Sequence, residues 1–86
     1  RKRAYDYIKY HSTEHEPIVY LLINEDYVGT TENLKQRLDK HKRFSGRDVS
    51  EVLILAEFKT RAEAIEFEKL KHEQGYKGKH RFNTYK

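Results

Sequence analysis

"IVYLLINEDYVGTTENLKQRLDKH", residues 18–41, contains the change of pattern on which the fold depends. Residues 18–23 form an unbroken apolar run of strand length, rich in β-branched side chains, and read as a buried strand. "NED" at 24–26 is polar and turn-like, and "YVG" at 27–29 reads as a second, short strand. Two strands this close in sequence make a hairpin. A two-residue loop at 24–25 or 25–26 puts Tyr27 on the face that Tyr20 occupies, as its diagonal neighbour. A three-residue loop puts the two tyrosines on opposite faces. The apolar period then lengthens: Leu34 and Leu38 are spaced i, i+4, as in a helix that Thr30 or Thr31 can cap. Arg37 and His41 have the same spacing and share a face at the edge of that apolar stripe.

Downstream, "KRFSGRDVS" at 42–50 reads as a loop or ragged helix end, and "EVLILAEF" at 51–58 as a third strand. That strand is apolar on both faces for most of its length, so helices are expected on both sides of it. "TRAE" at 60–63 is a capping box, with Thr60 as N-cap and Glu63 three residues on, and the helix it opens runs to about Gln74, where Gly75 stops it. The tail from 76 is basic and mostly irregular. Upstream, residues 1–16 are a polar, tyrosine-rich arm in which Tyr7, Ile8 and His11 line one side of a short helix that Pro17 ends. The expected fold is a small α/β (α+β) domain: a three-stranded, mainly antiparallel sheet flanked by helices, in the order β-β-α-β-α over residues 17–86.

With 86 residues the chain holds one small domain. Hydrophobic residues are 36% and charged residues 37%, so the core is thin and the surface heavily ionic. The absence of cysteine excludes disulfides, thiolate zinc sites and a cysteine nucleophile. There is no methionine either, and the chain is read as a fragment or processed domain of a longer protein. No apolar run approaches the ~20 residues of a membrane span, and the N-terminus has no signal-peptide pattern, so an intracellular setting, cytoplasmic or nucleoid-associated, is expected. A net charge of +4 suits a polyanionic partner, because lysine and arginine displace counterions from phosphates.

The candidate site residues follow from placement. Tyr20 and Tyr27 are either core aromatics or, with a hydroxyl that needs a polar partner, part of a wet edge. Gly29, at a strand exit, makes a simple turn or lets another backbone or a ligand approach closely. Arg37 is a natural phosphate donor through its planar fork, and His41 exchanges a proton near neutral pH. In the last helix Glu66 falls on the polar side with Lys69 and Glu73, whereas Glu68 falls inside the apolar arc of Ala64, Ile65, Phe67 and Leu70. A carboxylate aimed there needs a cation or donor, which makes Glu68 the candidate ligand for a hard metal ion. Lys35, Lys40 and Lys42 spread over the solvated side. Lys79, Arg81 and Asn83 lie in the basic tail. His11 and His15 have a spacing zinc can use but no third ligand, and no partner is identified by spacing for His72.

In this order the residues resemble the GIY-YIG nuclease domain. "IVY" at 18–20 corresponds to its first motif and "YVG" at 27–29 to its second. "NLKQRLDKH" at 33–41 resembles its first helix, with Arg37 and His41 in place. "AEAIEFEKLK" at 62–71 resembles the glutamate-bearing helix in a register that falls on Glu68, and "FN" at 82–83 matches the closing asparagine at Asn83. The sequence departs from the pattern at Ile18, where the family has glycine, and at Thr30, where excision-repair members carry lysine. That difference and His41 bring the chain nearer the homing and restriction branches. The resemblance implies a DNA endonuclease that uses one Mg²⁺ or Mn²⁺ held by Glu68. Arg37 would neutralise the phosphate, Tyr20 and His41 would take the proton of the attacking water, Tyr27 would orient the water or the phosphate, and Asn83 would brace the site. Gly29, Thr30, Lys35, Lys79 and Arg81 would meet the nucleic acid. An appended DNA-binding domain or a homodimer would supply specificity. Two other readings are a nucleic-acid-binding module that keeps the fold without cleavage, and a small basic interaction domain.

Overall fold

The structure, a computed structural model, describes residues 2–10 and 13–78. Strand β2 is Ile18–Leu22 and strand β3 is Tyr27–Thr31, paired antiparallel with Tyr20 opposite Gly29 and Leu22 opposite Tyr27. The connecting loop is therefore neither of the expected lengths. It has four residues, a 3₁₀ turn over Ile23–Glu25 closed by Asp26 at φ 50°. Aspartate is one of the few residues that enter this left-handed region readily. Four is still an even number, so Tyr20 and Tyr27 keep the same face, with ring centroids 6.4 Å apart.

Strand β4, Val52–Glu57, runs antiparallel to the other side of β2, with a register shift between Val19 and Tyr20. The expected three-stranded antiparallel sheet is present, and a fourth strand extends it. Lys2–Arg3 (β1) pairs with β4, giving the order β1-β4-β2-β3. Helix α1, Ala4–Tyr10, follows at once and buries Ala4 and Tyr7.

Both faces of the sheet are covered, as the doubly apolar third strand implies. On one side Ile18, Tyr20, Leu22, Tyr27, Val52 and Ile54 pack against Ala4 and Tyr7 of α1 and against Leu34 and Leu38 of α2, Leu34–Lys40. On the other, Val19 and Val28 meet Ala64 of α3, Arg61–Glu73, with Leu21, Leu55, Phe58 and Phe67 around them. Each of these large side chains contributes roughly 1.5–3 kcal/mol on leaving water, so two thin layers suffice for a chain this polar.

Neither threonine caps α2. Thr30 and Thr31 complete β3, and Asn33 is the N-cap, its side chain accepting from the Gln36 N–H. His15 adds a second cap by accepting the Leu34 N–H on Nε2 at 2.9 Å, which gives that histidine a structural role. Thr60 caps α3 as expected by accepting from the Glu63 N–H, and Gly75, at φ 109°, follows its end. Beyond α2 the chain widens into a π-helical turn, His41–Ser45, and leaves through Gly46 at φ 63°. β3 is an edge strand whose first part is met by a parallel bridge from Lys77.

Candidate active site

Tyr20 lies in the middle of β2 and is fully buried. Its ring passes over Gly29, its partner across the ladder. A Cβ at position 29 would stand 2.5 Å from the Tyr20 hydroxyl, so the glycine here makes room for a tyrosine. The hydroxyl meets His41 Nε2 at 2.7 Å. Two turns of helix set this up: Leu34 and Leu38 fix the buried stripe of α2, and Arg37 and His41 follow at its edge. Arg37 is half-buried and His41 is buried.

Tyr27 completes an aromatic corner. The His41 ring stands edge-on to it at 4.8 Å and 76°, and the Arg47 guanidinium lies 4.3 Å over its face. Tyr27, Arg37, Lys40, His41, Phe44 and Arg47 line one cleft of about 330 Å³. Three cations and two acid–base side chains thus share one opening, a composition suited to a phosphate.

Burial pushes the Tyr20 phenol well above its ordinary value, and Tyr27 and Glu68 push the same way. The positive charge of Arg37 pulls it down but does not win. An isolated phenolate at this position is therefore costly.

Glu68 approaches from α3, on the other face of the sheet, and is 1% exposed. Its Oε1 accepts from the Thr30 hydroxyl at 2.6 Å. Its Oε2 makes no hydrogen bond among the described residues. His72 stands one turn further along α3, where Nε2 donates to the Val28 carbonyl at 3.0 Å and lies 3.5 Å from Glu68 Oε2. A side chain at Gly78 would overlap the His72 ring. Glu66, by contrast, is exposed, as the helical wheel implies. Among the described residues no group of three or more histidine, aspartate and glutamate side chains forms a metal cluster.

The structure thus brings Tyr27, Arg37 and His41 to one cleft, with the buried Tyr20 hydroxyl held against His41 behind it, and Thr30 and Glu68 to the neighbouring strand edge. Lys35 lies elsewhere, on a cleft of about 690 Å³ between α1 and α2 that Tyr5, Ile8 and Leu38 also line. Lys79, Arg81 and Asn83 fall outside the described residues, as does His11. Sequence reasoning missed three neighbours. His72 was legible, because it is i, i+4 from Glu68. Arg47 and Arg61 were not, since only the folded chain sets one on Tyr27 and the other beside Thr30.

No helix among the described residues is long and apolar enough to cross a membrane. Comparison with curated proteins and with solved structures finds no match. The family model described as the GIY-YIG catalytic domain matches residues 16–86.

Proposed function

We propose, from the premise that the chain belongs to the GIY-YIG family, that it is a metal-dependent DNA endonuclease that hydrolyses phosphodiester bonds. Membership implies nuclease activity in general terms. The finer reading is supported above all by one atom, the Tyr20 hydroxyl. It is hydrogen-bonded to His41 and within electrostatic reach of Arg37 and Glu68, so three residues from three elements act on it together.

The chemistry follows from that convergence. The phenol proton is assigned to the 2.7 Å hydrogen bond with His41 Nε2, which leaves the phenol oxygen's lone pairs, beside the Arg37 charge, to accept. As water attacks, the phenol oxygen takes its proton while passing its own to His41. The relay keeps Tyr20 neutral throughout, which removes the cost that burial puts on a phenolate. Arg37, standing in the cleft, offsets charge on the phosphate oxygens. The Tyr27 ring, held between His41 and Arg47, orients the water or the phosphate. Asn83 is assigned to brace the site from the tail.

Glu68 is the residue that would hold Mg²⁺ or Mn²⁺. Its buried Oε2 makes no hydrogen bond among the described residues, and a hard divalent ion takes oxygen ligands of this kind. When bound, such an ion stabilises charge on the scissile phosphate and the leaving 3′ oxygen. Thr30 orients Glu68 by donating to Oε1. DNA is the partner that the family and the basic cleft favour, with Gly29, Thr30, Lys35, Lys79 and Arg81 as proposed contacts. An appended DNA-binding domain or a homodimer would supply specificity that a domain this small lacks.

The near-complete burial of Glu68 favours a second reading, a binding module that keeps the fold without cutting. Incubation with supercoiled plasmid, with and without Mg²⁺ or Mn²⁺, separates the two. The nuclease reading expects nicking that requires the metal and is lost in Glu68→Ala and Arg37→Ala. Salt-sensitive binding with no nicking would favour the module.

A further inference from the structure

Beside the tyrosine cleft lies a smaller one of about 70 Å³, lined by Thr30, Thr31, Glu32, Arg37 and Arg61. Arg37 borders both clefts, so the two are neighbours along one path. Two guanidinium groups reach the small cleft from different elements, Arg37 from α2 and Arg61 from the first turn of α3. Thr31 Oγ1 accepts from the Asn33 N–H, which leaves its hydroxyl proton to be directed into the cleft. That space admits phosphate oxygens.

The state of Arg61 agrees with a ligand-binding role. Its Nη1 stands 3.8 Å from Glu32 Oε1, a long contact between groups that are 68% and 48% exposed. Such a pair is weak, and a phosphate offering two oxygens to the planar fork competes with it easily. Glu32 lines the same cleft, so its charge opposes any anion that enters.

We propose that this cleft is a second phosphate subsite, adjoining the one at Tyr27. Arg61 is its phosphate-binding residue, and Glu32 is the carboxylate that a nucleic-acid phosphate displaces. The assignment rests on the nucleic-acid reading above, but it concerns binding and not cleavage. It gives the site a second fixed point on the backbone, which sets the direction in which a strand crosses Arg37.

The test is the affinity of the whole chain for a short DNA duplex, measured in chelator across a salt series. Arg61→Ala is expected to weaken binding several-fold at low salt and to reduce the slope of log K against log salt by about one, the signature of one lost phosphate contact. Arg61→Lys restores part of the affinity. Glu32→Gln tightens binding, an effect opposite to that of Arg61→Ala, whereas a merely structural ion pair would make both variants weaker. An unchanged slope in Arg61→Ala, weaker binding in Glu32→Gln, or no binding by the unaltered chain overturns the proposal. An unchanged slope in a protein that nicks plasmid sinks the subsite alone. A normal loss of slope without any nicking sinks the nuclease reading alone.

Discussion

Gly29 and Tyr20 share a space that only one side chain can fill. Replacing Gly29 by alanine puts a methyl group 2.5 Å from the Tyr20 hydroxyl, and that hydroxyl is already held by His41 and cannot swing away without losing its bond. The expected cost of Gly29→Ala is about 1–3 kcal/mol in a thermal or urea melt, as for other overpacked cores. Nicking should fall further than the lost stability explains, because the tyrosine is pushed out of its relay. Tyr20 also carries a pH signature. Its phenol is raised above the ordinary value of about 10, so ionisation favours the unfolded chain. The stability it contributes is complete below about pH 10 and is lost as the pH climbs beyond that. Tyr5 and Tyr7 shift the same way. Melts at neutral pH and above pH ~10 should therefore show a large alkaline loss, smaller in Tyr20→Phe. Burial does not leave the tyrosine hydroxyl without a polar partner: Tyr20 is fully buried and hydrogen-bonded to His41.

Helix α2 carries Arg37, proposed to face the phosphate, and leads directly into His41, the proposed proton acceptor, so its start matters more than its length suggests. Asn33 accepts from the Gln36 N–H, and His15 accepts from the Leu34 N–H. Asn33→Ala should cost about 1 kcal/mol. In a domain of this size that lowers the melting midpoint by roughly 4–8 °C, with activity per folded molecule retained at low temperature. The type and order of the elements were legible because the apolar period changes cleanly from the 18–23 run to the Leu34–Leu38 stripe. Their boundaries were not. β3 runs two residues past Gly29, which converts the two threonines from caps into strand residues and turns Thr30 toward Glu68. The hairpin loop was misjudged because Asp26 supplies a left-handed residue without a glycine to mark it. Glu68 was legible from its place in an apolar arc, and its partner His72 was overlooked although it lies one turn away.

At the scale of the molecule the sheet is a spacer that sets two helices on opposite faces and lets their side chains meet at one edge. Tyr20 and Arg37 come from the α2 side and Glu68 from the α3 side, joined through Thr30 on β3. The polar composition of residues 1–16 hides a structural part, since Lys2–Arg3 pairs with β4 and Ala4 and Tyr7 enter the core. Removing residues 1–16 should therefore broaden or abolish the cooperative melt by circular dichroism, as an unmatched arm would not. A site assembled this way should fail as a unit. The most direct measurement is the Mg²⁺-dependent plasmid nicking rate of the unaltered chain, Tyr20→Phe, Glu68→Gln and the double variant. Each single change is expected to cost about two orders of magnitude or more, and the double variant to be no slower than the slower single, as for groups serving one transition state. Losses that multiply, or a wild-type rate in either single variant, would contradict a shared active site.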